Sequence, residues 1–168
     1  MDFAGVPEAD RNMPPDQRMS EILGGWDEHT GQPLPMNPGA LRRAADQWPT
    51  TSATPDDVAG LLRTSRDLYV ASFYAYALLT VGVLWSLLGV EAALRLKLDG
   101  SEHDSFKTLV ATARKRGLLD DAVAEVLDAG RQLRNGFSHP ERQEAWSYGM
   151  AGPTIRTSHV VVVAVFSG

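Results

Sequence analysis

The chain contains no cysteine among its 168 residues, which excludes disulfides, iron–sulfur clusters and thiolate zinc sites and is what a reducing compartment permits. It also lacks the GxxxxGK[ST], GxGxxG and GxSxG strings that cradle phosphates or present a nucleophilic serine, and it has no HxxxH pair to hold zinc. No metal and no cofactor is implied. Positive charge is in short supply: the formal net charge is −5, which disfavours a broad nucleic-acid or anionic-membrane surface. The opening MDFAGVPEADRNMPPDQRMSE has acids and prolines where a secretory signal needs a basic start and an apolar run, so the expected location is cytoplasmic.

What is present is helical patterning. With 43% hydrophobic residues the length suits one substantial core. Residues 1–50 read as an irregular or extended N-terminal extension with one short helix, PGALRRAADQW, opened by Pro38 and closed before Pro49. Residues 51–168 read as a helical domain. Thr54-Pro55-Asp56-Asp57 is a helix start, with a hydroxyl cap, a first-turn proline and two acids at the positive end of the dipole. No proline follows until after Leu98, so Asp56–Leu98 fits one long or kinked helix, or two joined near Gly60, Gly82 or Gly89; the long helix is preferred.

Residues 68–90 carry no charge over a length able to span a bilayer. Because the run passes without a basic flank into the amphipathic VEAALRLKL, a buried central helix is expected and a membrane span is the lesser reading. Tyr69, Phe73, Tyr74, Tyr76 and Trp85 within it are expected as core and interface. A helix with Phe106, Leu109, Val110 and Ala113 on one face should follow, ending near Gly117. Another should start at Asp120 and Asp121, with an apolar stripe through Ala122, Val123, Val126, Leu127, Gly130 and Leu133. After Pro140 a loop is expected as far as Pro153, then a last helix despite its four consecutive valines.

The chemistry concentrates in RQLRNGFSHP, residues 131–140. Steps of four, three and four from Val123 reach Arg134, so a guanidinium lies along an inward stripe and needs a partner, a ligand or a wet groove. Pro140 disfavours helical backbone at His139, which lets the imidazole turn back toward that guanidinium. Asn135 and Ser138 add donors and acceptors at the helix end. The plain structural alternatives are an arginine whose head snorkels to water and a histidine capping the helix C-terminus. Lys107, Arg114, Lys115 and Arg116 form an acid-free run just before, which by itself reads first as an ordinary solvated helix end and otherwise as a local basic patch; Arg131 is a further candidate cation. His29 and His103 suit surface positions, and His159 a core or interface position.

RNGFSH resembles the Arg, four-to-six residues, His motif of the HEPN superfamily, and the order of the segments VGVLWSLLGVEAALRLKL, FKTLVATARKRGLL and LDAGRQLRNGFSHP resembles the helices that lead into it. The resemblance covers residues 55–166. It implies an all-α helical bundle that forms a homodimer and acts as a metal-independent endoribonuclease of the toxin or phage-defence type. Arg134 and His139 would be the catalytic pair, Asn135 and Ser138 supporting neighbours, and Lys107, Arg114, Lys115, Arg116 and Arg131 contacts to RNA. An imidazole that titrates near neutrality and a guanidinium that matches phosphate oxygens are what metal-free attack by a 2′-hydroxyl requires. A protein antitoxin or regulator is a possible partner. Members controlled by a modifying antitoxin often carry Tyr two residues after the His, whereas this chain has Glu141. The alternative is a non-catalytic bundle of the same kind that binds a nucleotide or a protein.

Overall fold

The computed structural model describes residues 13–27, 29–137 and 146–167, with backbone alone for 133–137. Six α-helices dominate these residues, in agreement with an all-α reading: α1 (Pro38–Asp46), α2 (Asp56–Ala71), α3 (Ala77–Lys97), α4 (Phe106–Lys115), α5 (Asp121–Phe137) and α6 (Tyr148–Ser167). A 3-10 turn (Gln17–Glu21) and a small antiparallel hairpin, β1 (Leu23–Trp26) with β2 (Pro33–Pro35), precede them.

The expected single helix over 56–98 is instead a helical hairpin broken at Ser72–Tyr76. Its glycines are not the joint. A Cβ on Gly82 would stand 3.3 Å from the Ser65 carbonyl oxygen and 3.4 Å from Leu68 Cβ, and one on Gly89 would stand 3.0 Å from Leu62 Cδ2. Absence of a side chain there lets α2 and α3 run antiparallel in close contact. The Ser65 hydroxyl, buried in the seam, donates to the Gly82 carbonyl at 2.8 Å.

The break itself is held from the N-terminal segment. The Asp16 N–H donates to the Phe73 carbonyl, and the Asp16 carboxylate accepts the Tyr76 N–H, both at 2.9 Å, so a distant residue caps the start of α3. The Arg18 guanidinium grips the same carboxylate and lies 4.3 Å above the Tyr76 ring. Hydrogen bonds from that guanidinium and from backbone N–H groups hold the Asp16 carboxyl well below the usual carboxylate range.

α3 is the central helix, touching α2, α4, α5 and α6. Leu79, Val83, Leu87, Val90 and Leu94 are all buried, each contributing roughly 1.5–3 kcal/mol of apolar burial. This accounts for the uncharged run, although α3 does have the length and composition of a membrane-crossing helix and half of its most apolar window is buried. Met19, Leu41, Ala45 and Trp48 join the same core, which therefore includes part of the first fifty residues.

Other boundaries moved by a few residues for identifiable reasons. Pro55 is extended (φ −55°, ψ 146°), so α2 starts at Asp56 without a side-chain cap from Thr54, while Asp56 and Asp57 occupy its first turn as expected. α6 starts at Tyr148 and carries Pro153 inside it. Tyr148 is anchored by a 2.6 Å hydroxyl contact to Ser72 and by edge-on packing against Tyr69 and Tyr76. α4 matches expectation closely: Ser105 caps it by accepting the Thr108 N–H, Phe106, Leu109, Val110 and Ala113 are buried, and Gly117 follows with φ 72°.

Candidate functional site

Arg134 and Asn135 belong to α5, but their side chains, together with all of Ser138 and His139, lie outside the described residues. What leads up to them is defined. Ala124, Leu127 and Gly130 are the buried positions of α5 among residues 121–132, and a Cβ on Gly130 would meet Leu87 of α3 at 3.1 Å. Position 134, seven residues after Leu127 and four after Gly130, continues this inward line along the backbone. The stripe is narrower than the sequence suggested: Ala122 and Val126 are exposed, and with Ala129 they form a second apolar line on the uncovered side of α5.

Of the five expected RNA-contacting cations, Lys107, Arg114 and Arg131 are opposed by acids. Lys107, Arg114 and Lys115 line one wall of an open groove of about 610 Å3, and Asp121, Glu125 and Asp128 of α5 line the other. Arg114 bonds Asp121 at 2.6 Å and Arg131 bonds Asp128 at 2.7 Å. The Asp128 carboxyl is held below its ordinary value, first by Arg131 and then by Gln132, with Lys107 adding a smaller attraction. Arg116 is exposed just past the end of α4.

A second constellation was not anticipated. His159 of α6 is fully buried, with its ring 5.5 Å from that of Trp48. Its Nδ1 lies 3.2 Å from the Pro49 carbonyl oxygen, and its Nε2 lies 3.4 Å from Nε of Arg66. A neutral ring with the proton on Nδ1 donates to the carbonyl and accepts from Arg66 Nε at its Nε2; Arg66 Nη2, which lies 3.3 Å from Nδ1, then donates to the Trp48 carbonyl and not to the ring. Burial, reinforced by the Arg66 charge, pushes the His159 pKa down to about 4. Arg66 also donates from Nη2 to the Trp48 carbonyl at 2.5 Å and has no carboxylate within ion-pair distance among the described residues.

These groups form one side of a half-open cavity of about 340 Å3, bordered by the 49–54 loop. Arg63, one turn before Arg66 on α2, also lines it, as do Thr50, Thr51 and Ser52 of the loop and the partly exposed Ala59 and Val163. The sequence offered one overlooked signal, an Arg63-x-x-Arg66 spacing that puts two guanidiniums on one helix face. His159 is a core residue, one of the two positions expected for it, and His29 and His103 are exposed. Among the described residues no group of three His, Asp or Glu side chains is arranged to hold a metal ion. Compared with known proteins, the chain matches no family model, no curated protein and no solved structure.

Proposed function

We propose that this protein is a metal-independent endoribonuclease of the HEPN type, acting as a homodimer. The observation that carries the reading is the RNGFSH string running off the end of α5, with position 134 on that helix's inward line. Arg134 would stabilise the overcharged phosphorane, and His139 would move the proton of the attacking 2′-hydroxyl. One imidazole per chain is half of an acid–base pair, so a second copy would supply the other. The uncovered line of Ala122, Val126 and Ala129 is an apolar face on the same helix for that copy to cover.

A non-catalytic binding module is the second reading, favoured by the acidic wall of the α4–α5 groove. Asp121, Glu125 and Asp128 there oppose an RNA backbone. The two readings separate in one experiment: a mixed RNA incubated in excess EDTA with wild type, Arg134→Ala and His139→Ala, all verified as folded, with product ends read by mass spectrometry. Wild type is expected to give 2′,3′-cyclic phosphates, and each variant to lose roughly 10²–10⁴-fold in rate. Cleavage equal in all three, or absent from wild type, favours the binding module. Light scattering should give twice the 18.3 kDa chain mass, falling to one chain in Val126→Arg.

A further inference from the structure

We propose that the cavity between the 49–54 loop, α2 and α6 is a binding site for a small phosphomonoester, seated by Arg63 and Arg66 with its organic body against Ala59 and Val163. Its volume of about 340 Å3 falls within the range of roughly 300–1,000 Å3 typical of small-molecule pockets. Among the described residues no Asp or Glu lines it, in contrast to the α4–α5 groove. The two arginines lie three residues apart on α2, and neither forms an ion pair among the described residues. Asp67, the neighbouring acid on α2, pairs with Arg42 at 3.1 Å, and it and Asp46 attract Arg66 only from beyond ion-pair distance.

The donor inventory favours a phosphoryl group over a carboxylate. Arg66 spends Nη2 on the Trp48 carbonyl and directs Nε at His159, which fixes the plane of its guanidinium and leaves Nη1 uncommitted. Arg63 adds a whole guanidinium, and the hydroxyls of Thr50, Thr51 and Ser52 add neutral donors from the facing loop. Two guanidiniums and several hydroxyls exceed what the two oxygens of a carboxylate accept, and suit the three terminal oxygens of a phosphomonoester. Neutral His159 adds no charge and acts by locking Arg66 in place. Ala59 and Val163, both partly exposed, supply an apolar wall suited to a carbon skeleton. None of these residues belongs to the Arg134/His139 motif, so this site stands or falls apart from the ribonuclease reading.

The test is isothermal titration of the full chain at pH 7.5 with phenyl phosphate, inorganic phosphate and benzoate as separate probes. Phenyl phosphate is expected to bind saturably at one site per chain, at least tenfold tighter than either of the others, and to weaken at least tenfold in Arg63→Gln. Arg63 is exposed and makes no described hydrogen bond, so that variant keeps its fold, which circular dichroism verifies. Absence of saturable binding, or binding unchanged in Arg63→Gln, overturns the site. Inorganic phosphate binding as tightly as phenyl phosphate overturns the role of the apolar wall, and benzoate binding as tightly overturns the phosphoryl assignment.

Discussion

The α4–α5 groove and the α2–α6 cavity both gather cations, and they treat them in opposite ways. In the groove, exposed Arg114 lies 2.6 Å from Asp121 with both side chains largely in water. In the cavity, half-buried Arg66 has no carboxylate within ion-pair distance among the described residues, feels Asp46 and Asp67 only from farther off, and is held by a backbone carbonyl and a neutral ring. Ion pairs in water contribute little to stability, whereas a partly desolvated guanidinium that satisfies buried acceptors is costly to remove. Counting cations along the chain therefore pointed to the groove, and their surroundings point to the cavity.

Acid should expose this contrast most strongly. The pKa of His159 falls from its ordinary 6.5 to about 4 on folding, so between those values the unfolded chain binds a proton that the folded one does not. Stability is then full above about pH 6.5 and declines as pH falls toward 4, by about 3 kcal/mol for a shift of this size. Urea unfolding at pH 7 and pH 4.5 measures it, and His159→Gln should flatten the difference. Asp16, whose carboxyl is depressed on folding, loses its contribution only at lower pH, below the ordinary 3.8 of an aspartate. A wild-type profile already flat from pH 7 to 4.5 would remove the distinction between the two regions.

Arg66→Ala comes next. It deprives the Trp48 carbonyl of its donor and should cost about 1–3 kcal/mol in the same assay. Relieved of the guanidinium's repulsion, His159 should also titrate at higher pH, a shift that NMR of the imidazole protons reads directly. Gly82→Ala probes the seam that positions α2 beside the cavity. Its Cβ would press on the Ser65 carbonyl and the Tyr69 amide at 3.3 and 3.4 Å, for an expected loss of about 1–2 kcal/mol by denaturant midpoint. Smallest of all is Arg114→Gln, which should leave the melting temperature essentially unchanged because it breaks only an exposed pair. A larger loss there than in Arg66→Ala would reverse the comparison.

Much of the fold was legible because local patterning and local energetics agreed. Phe106, Leu109, Val110 and Ala113 repeat at helical spacing behind a Ser105 cap, and all four are buried. Asn37 and Pro38 likewise start α1, and the uncharged 68–90 run meant burial on several sides. The break at Ser72–Tyr76 was not legible, since no glycine or proline marks it and its cap, Asp16, comes from sixty residues earlier. Nor was α6 legible before Pro153, where tyrosine packing outweighs the helix-breaking signal. As for the candidate sites, Arg134 and His139 were nominated by local pattern and by the resemblance of RNGFSH to a known motif, whereas the pairing of Arg114 with Asp121 and of Arg66 with His159 joins residues on different helices.

By itself the sequence determined that the chain is helical, cysteine-free and built around one long uncharged run, because these follow from residue type and from periods of three and four. Only the tertiary structure decided which charges are neutralised and which stay available. Across ninety-three residues, packing brings Arg66 onto His159. Across a turn between α4 and α5, it sets acids against the cations that had looked free. Electrostatic partnership depends on distance and desolvation in space, and neither is written in the order of residues along the chain.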